Sequence, residues 1–184
     1  MAKKTLVNFY KDSERNYEIC LLINQKLSEK DLKTNLETIK KIIEKNNGKV
    51  VSIANTKIKD FAYPVSSSKE KKGYYACLYT KINPDKINEL EKIIRLEDNV
   101  LRVGITLANP KKQSYGIFSG TYENSSIKNK NNFISYDDPN NLLRFIGERG
   151  KIINKKKNTA LIQKQVSRTI KFARKMAILP FIED

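Results

Sequence analysis

Residues 17–48 read YEICLLINQKLSEKDLKTNLETIKKIIEKNNG. The segment Tyr17–Ile23 is apolar at nearly every position, which predicts a buried strand. Ser28 is a candidate helix N-cap, because acidic residues follow it where the helix dipole favours negative charge. One face of this helix carries four apolar residues, Leu32, Leu36, Ile39 and Ile43. Gly48 is predicted to close the helix as a left-handed C-cap.

The following sequence predicts three more strands and one more helix. Val50–Val65 predicts a long strand whose Pro64 marks an end or an edge, and Gly73–Ile82 predicts a third strand. Asn83-Pro84 is a helix start, and Val100–Leu107 predicts the last strand. The order strand, helix, strand, strand, helix, strand predicts an α+β fold, the ferredoxin-like βαββαβ arrangement with an antiparallel sheet.

Composition divides the chain into four parts. Residues 1–15 form a polar N-terminal extension, and 16–108 form the ferredoxin-like domain. Residues 109–132 are rich in Asn, Ser, Lys and Gly, which predicts a flexible linker. Residues 133–184 predict a small, mostly helical, basic module.

The basic module contains a stretch, Gly150–Phe181, that has no acidic residue. Within it, apolar residues recur at helical spacing and predict the face that packs against the first domain: Ile162, Val166, Ile170, Ala173 and Ala177. A cationic stripe lies on the opposite side of the same helix. Together with the preceding loop it supplies the candidate RNA-binding residues: Lys151, Lys155, Lys156, Lys157, Lys164, Arg168, Lys171, Arg174 and Lys175. Uniform positive charge favours a polyanion over bare solvent, because solvated helices usually mix charge signs.

The whole chain shares this charge. Its 36 basic and 20 acidic residues give a net charge of +16, which suits a nucleic acid partner. An anionic membrane is the competing partner, but no apolar run is long enough to span a bilayer and no signal peptide is visible. Cys20 and Cys77 lie in apolar strand segments, which predicts two buried thiols in a reducing cytosol.

The residue types argue against an enzyme. The chain has no histidine, and its two cysteines lack the partners of a structural zinc site, so the sequence predicts no catalytic residue, metal or cofactor. Asp137 and Asp138 could bind Mg²⁺ in a nuclease, a remote alternative to capping a short helix.

A second alternative is an RNA recognition motif that binds single-stranded RNA. Lys72–Tyr79 (KGYYACLY) on the third strand partly fits the signature of that motif. However, Ala76 stands where a base-stacking aromatic is needed, and strand alternation places Tyr74 and Ala76 on one face. A packing role for these tyrosines is therefore favoured.

Two resemblances cover about three quarters of the chain. Residues 16–107 resemble small-subunit ribosomal protein six of bacteria, through Tyr17-Glu18, Phe61-Ala62-Tyr63-Pro64-Val65, Gly73-Tyr74-Tyr75 and Leu96–Arg102. Residues 133–181 resemble small-subunit ribosomal protein eighteen. The matching residues are Leu143–Ile146, Glu148, Gly150–Ile152, Gln165, Arg168, Ile170-Lys171, Ala173-Arg174 and Leu179–Phe181. Asn154 and Phe172 depart from the second family's pattern.

The resemblance implies a function as well as a fold. The two families form a heterodimer on the central domain, or platform, of small-subunit ribosomal RNA. It implies that this chain fuses the two partners into one structural component of a bacterial-type ribosome, in the cytoplasm or an organelle. The implied partners are that RNA, neighbouring ribosomal proteins and the chain's own second module.

Overall fold

A computed structural model describes residues 14–54, 56–65, 70–108, 136, 139–153 and 159–182. The predicted linker, almost all of the predicted N-terminal extension and the lysines at 155–157 lie outside these residues. Asp137 and Asp138, the residues of the nuclease alternative, also lie outside them.

The described residues form five strands and four α-helices. The strands are β1 (Arg15–Asn24), β2 (Lys49–Ile53), β3 (Lys57–Val65), β4 (Glu70–Ile82) and β5 (Val100–Leu107). The helices are α1 (Glu29–Lys45), α2 (Ile87–Arg95), α3 (Pro139–Leu143) and α4 (Ala160–Lys175), and a short 3₁₀ turn precedes α2. Within the described part of the chain, no helix is both long and apolar enough to cross a membrane.

The strands form a five-stranded sheet in the order β2-β4-β1-β5, and β3 also pairs with β4. β1 is antiparallel to both of its neighbours, and β2 is antiparallel to β4. This strand order, with α1 and α2 in the two crossovers, confirms the predicted ferredoxin-like fold.

Alternation along β1 explains the core of this domain. Ile19, Leu21 and Ile23 point to the face that packs against α1 and α2, where Ile39, Ile43, Leu90 and Ile94 are also fully buried. The alternate residues Cys20 and Leu22 point to the other face and are also completely buried. A strand that is buried on both faces is what an unbroken apolar run predicts.

The end of α1 differs from the prediction. Asn47, with φ +59°, is the residue in left-handed conformation there, so the prediction for Gly48 was wrong. Gly48 is required by space instead, because a Cβ at this position would lie 2.7 Å from Ile43 Cγ2 and 2.8 Å from Ile82 Cγ1. Asn tolerates the left-handed region better than most residues, which makes this exchange of roles physically reasonable.

The second predicted strand also differs. The structure has two strands, β2 and β3, where the sequence predicts one from Val50 to Val65. The pairing of β2 with β4 shifts register between Val50 and Ser52, and such a bulge bends a strand. Pro64, which has no N–H to donate, is the penultimate residue of β3.

The chain divides into two compact units. Among the described residues, the first unit holds 14–59 (without 55) and 72–108. The second holds 60–65, 70–71, 136, 139–153 and 159–182. The end of β3 and the start of β4 therefore belong with the C-terminal segment, although they lie within the predicted boundaries of the first domain. Those boundaries, and the linker between them, stay a prediction.

Candidate nucleic-acid interface

Helix α4 is the central element of the second unit. Thr159 caps it, since its side chain accepts a hydrogen bond from the Ile162 N–H at 3.4 Å, and the helix ends at Lys175. Val166, Ile170 and Ala173 form its buried face. They pack in one cluster with Leu142, Phe145 and Leu179, and Ile162 contacts the edge of this cluster. This apolar cluster fixes how the helix is rotated and therefore which residues it exposes.

The opposite face of α4 is exposed and cationic. Lys164, Arg168, Lys171 and Lys175 all face solvent, as their spacing predicts. We call these four residues the cationic stripe. No acidic residue occurs in α4, whereas α1 carries five lysines and four acidic residues. Because α1 mixes its charges and α4 carries positive charge alone, α4 presents a row of one sign, which α1 does not.

The other predicted RNA-binding residues are distributed differently. Lys151 is exposed and follows the turn at Gly150. Lys155, Lys156 and Lys157 lie outside the described residues. Arg174 is partly buried, on the flank of α4 between the two faces.

Arg174 makes several hydrogen bonds within its own unit. Its Nε donates to the Pro180 carbonyl at 3.1 Å. Its Nη2 donates to the carbonyls of Gly150 at 2.6 Å and Phe181 at 3.3 Å. The guanidinium also lies 5.6 Å from the centre of the Phe181 ring. Three of its five N–H donors are thus directed at carbonyl groups. The side chain therefore holds Pro180 and Phe181 against the Gly150 turn.

Gly150 is required by this arrangement. It has φ +69°, a conformation that residues with a Cβ rarely adopt. A Cβ there would also collide with the Phe181 carbonyl. The close approach of Gly150 to Phe181 leaves no pattern in the sequence.

Three of the residues predicted for packing between modules belong to the buried cluster of the second unit. Val166, Ile170 and Ala173 are buried by side chains of their own unit. Ala177 is buried as well, and its carbonyl accepts a hydrogen bond from the Ala62 N–H at 2.8 Å. Packing between the two modules through these five residues stays a prediction.

Tyr63 of β3 also contacts this site. Its hydroxyl donates to the Arg174 carbonyl at 2.6 Å, and its ring lies 5.4 Å from the Phe181 ring at an angle of 57°. Tyr63 and Arg174 are 111 residues apart. A single tyrosine at that separation follows no periodic pattern, so only the three-dimensional structure reveals the contact.

The recognition-motif alternative is contradicted by the position of Tyr74. As alternation predicts, Tyr74 and Ala76 share a face, and both belong to the core that packs against α1 and α2. A base-stacking aromatic has to lie on the exposed face of the sheet. On the face opposite α1 and α2, β4 presents Tyr75, Cys77 and Tyr79, which are all buried. Neither face of this strand therefore offers an exposed stacking platform.

Buried polar groups also occur on the face of the sheet opposite α1 and α2. The Tyr79 hydroxyl donates to Glu18 Oε1 at 3.1 Å. Burial raises the pKa of Tyr79 far above its usual range, and the neighbouring Glu18 carboxylate raises it further. Among the described residues, metal-ligating side chains come together at one place, Glu18, Cys20 and Cys77.

Comparison with known proteins is consistent with this architecture. The model of the family Ribosomal protein S6 matches residues 16–106. The bS6 protein of Clostridium novyi is 36% identical over 98 residues, which are 53% of this chain and 99% of that protein. The chain belongs to the ribosomal protein S6 family. Its remaining part is equally informative, because the model of Ribosomal protein S18 matches residues 130–179. The chain is therefore a fusion of an S6-type and an S18-type sequence.

Other relatives match the S6-type part as well. The bS6 protein of Helicobacter acinonychis is 32% identical over 99 residues, 54% of this chain and 68% of that protein. The crystal structure of 30S ribosomal protein S6 from Thermotoga maritima has a TM-score of 0.47 and 27% identity, and the match covers 52% of this chain and 88% of that one. Both families consist of structural proteins of the small ribosomal subunit, not enzymes.

Proposed function

We propose that this S6–S18 fusion binds small-subunit ribosomal RNA of the central domain, at the platform, with its cationic stripe against the phosphate backbone. The observation that carries the proposal is the exposure of Lys164, Arg168, Lys171 and Lys175 along one side of α4, held there by the buried cluster on the other side. Lysine and arginine contacts to phosphates bind and orient a protein on RNA without reading base sequence.

The geometry of α4 suits this task. Successive members of the stripe are three or four residues apart, so they follow one another at about 4.5–6 Å along the helix axis. Such a row can follow the phosphates of one RNA strand. Recognition then depends on the shape of the folded RNA, because the deep major groove of an RNA helix keeps side chains from the base edges.

Filter binding to a central-domain RNA fragment over a range of salt concentrations tests the stripe. Each phosphate contact releases counterions, so Lys171→Gln should lower the slope of log K against log salt by up to about 0.9. The matched control is Lys33→Gln on α1, an exposed lysine on a helix of mixed charge. A flat slope for the unaltered protein, or equal effects of the two substitutions, contradicts the proposal.

Arg174 is proposed to support RNA binding indirectly, by stabilising the fold of the second unit. Because its guanidinium holds the Gly150 turn and the chain end, Arg174→Gln should lower the melting temperature as well as the RNA affinity. Lys171→Gln should lower RNA affinity alone, because this lysine is exposed. If Arg174→Gln changes affinity and leaves the melting temperature unaltered, Arg174 is a direct phosphate ligand.

The fusion is proposed to keep the two modules paired within one chain, by contacts that include Ile162, Val166, Ile170, Ala173 and Ala177. A linker of 24 residues, 109–132, gives an effective concentration on the order of millimolar, so pairing does not depend on protein concentration. The other proposed partners are neighbouring proteins of the small ribosomal subunit.

We expect the intact chain of 21.2 kDa to sediment with small subunits at high salt. Two smaller fragments in its place would contradict the single-chain arrangement.

A further inference from the structure

Three side chains with metal-binding atoms meet on the face of the sheet opposite α1 and α2. Cys20 of β1 lies directly opposite Cys77 of β4, and their Sγ atoms are 2.9 Å apart. Glu18 is two residues before Cys20 on the same face. The two sulfur atoms and a carboxylate oxygen all lie within 4.8 Å of one another.

The burial of this group distinguishes it from an ordinary surface cluster. Cys20 and Cys77 expose 0% and 1% of their surface, and Glu18 exposes 8%. The Tyr79 hydroxyl donates a hydrogen bond to the Glu18 carboxylate, and no Lys or Arg of the described residues pairs with that carboxylate. Burying a carboxylate without a positive partner is costly, so a cation at this position would stabilise the fold.

We propose that Glu18, Cys20 and Cys77 bind one thiophilic divalent cation of the zinc class, as a structural site within the sheet. Two thiolates and a carboxylate are ligands that Zn²⁺ accepts, and adjacent strands hold them in fixed register. The fourth ligand is not assigned to a residue. This site is independent of RNA binding, since it lies on β1 and β4.

Binding requires a small rearrangement. Two sulfurs on a tetrahedral Zn²⁺ are about 3.7 Å apart, which follows from Zn–S bonds of about 2.3 Å. The sulfurs must therefore separate by roughly 0.8 Å, which rotation about the cysteine side-chain bonds can supply. Each thiol releases one proton as its metal–sulfur bond forms, and no electron is transferred.

Tyr79 has a supporting role in this site. Its hydroxyl holds Glu18 Oε1 at 3.1 Å and so orients the carboxylate without contacting the cation. Hydrogen bonds of this kind commonly change metal affinity by about 10–100-fold. Tyr79 is therefore a positioning residue, and Tyr79→Phe should weaken binding about tenfold while preserving both thiols.

The test uses Cd²⁺ as the probe and the full chain. Because the site is closed, the cation is added while the protein refolds without oxygen, with a phosphine as reductant. The chain has two cysteines and no histidine, so a thiolate-to-metal charge-transfer band reports on this pair alone. We expect one Cd²⁺ per chain, release of about two protons from the thiols, and a circular dichroism spectrum that shows a folded protein.

Substitutions then assign the ligands. Cys20→Ser or Cys77→Ser should lower Cd²⁺ affinity by at least about tenfold and weaken the band. Glu18→Gln should lower affinity and leave the band. The matched control is Glu37→Gln on α1, an exposed carboxylate that should change neither quantity.

Several results would overturn the site. The first is a wild-type protein that refolds with free thiols and shows no charge-transfer band. The second is Cd²⁺ binding that both serine variants retain unchanged. The third is a Cys20–Cys77 disulfide that persists under the reducing conditions and excludes the cation, seen as a mass lower by two hydrogens. If Glu18→Gln binds as tightly as the wild type, the three-ligand assignment is wrong.

Discussion

At the scale of single residues, the burial of Tyr79 beside Glu18 makes the protein less stable at alkaline pH. Burial, and next the Glu18 carboxylate, raise the pKa of Tyr79 above its value in the unfolded chain, about 10. The folded protein therefore keeps a proton that the unfolded chain loses above pH 10. Stability is unaffected by this group below pH 10 and falls above it, by up to about 1.4 kcal/mol per pH unit.

This prediction is checked by urea unfolding of the metal-free protein at several pH values between 9 and 11 (roughly one unit on either side of the unfolded pKa). Tyr79→Phe should remove part of the decline, because phenylalanine does not titrate. The comparison with the variant isolates the contribution of this tyrosine from that of the rest of the protein. Identical pH dependence in the two proteins would contradict the prediction.

Gly150 gives the second prediction at this scale. Gly150→Ala should destabilise the protein by about 1–3 kcal/mol, because alanine is strained at φ +69° and its Cβ meets the Phe181 carbonyl. Gly147→Ala is the matched control three residues away. Its Cβ would lie 3.1 Å from Cδ1 of Ile153, an exposed side chain that can move. Chemical denaturation should therefore show a smaller loss for Gly147→Ala.

At the scale of secondary-structure elements, periodicity predicts most of what the structure contains. The strand and helix order from β1 to β5, the buried face of α1 and the cationic stripe of α4 all follow from spacing along the chain, because each depends on local geometry. Two predictions failed. Gly48 is fixed by its contact with Ile82 of the neighbouring strand β4, and the predicted long strand is two strands, β2 and β3.

The residues of the candidate site also divide into those that spacing along the chain predicts and those that it does not. The exposure of Lys171 follows from the helical pattern, whereas the hydrogen bonds of Arg174 depend on a turn 24 residues earlier in the chain. Tyr63 and the Glu18–Cys20–Cys77 group depend on strand pairing and on contacts between distant segments. Spacing in one sequence carries no information about such contacts.

The buried face of α4 gives the prediction at this scale. Ile170→Ala should destabilise the protein by about 2–5 kcal/mol, because Ile170 is fully buried among Val166, Phe145 and Leu179. Leu161→Ala on the same helix should cost less than about 0.5 kcal/mol, since this leucine is 77% exposed. Urea denaturation of both variants tests the difference. If both substitutions lower the free energy of unfolding by the same amount, the buried face of α4 is assigned wrongly.

At the scale of the whole molecule, the boundaries of the two family matches do not coincide with those of the two compact units. Tyr63 lies in the S6-type match, whereas Arg174 and Ala177 lie in the S18-type match. Yet residues 60–65 of β3 belong to the same compact unit as α4. The S18-type sequence is thus completed by a strand segment that the S6-type sequence contributes, through the bonds from Ala62 to Ala177 and from Tyr63 to Arg174.

A double-mutant cycle measures this completion directly. Tyr63→Leu and Phe181→Leu each remove one ring of a pair whose centres lie 5.4 Å apart, and such pairs are coupled by about 0.5–1.5 kcal/mol. The control cycle joins Tyr63→Leu with Leu161→Ala, at the far end of α4. Residues 161 and 174 are separated by about 20 Å along the helix, so these two effects should add to within about 0.5 kcal/mol. Additivity in both cycles would show that the rings of Tyr63 and Phe181 contribute no interaction energy between β3 and the C-terminal segment.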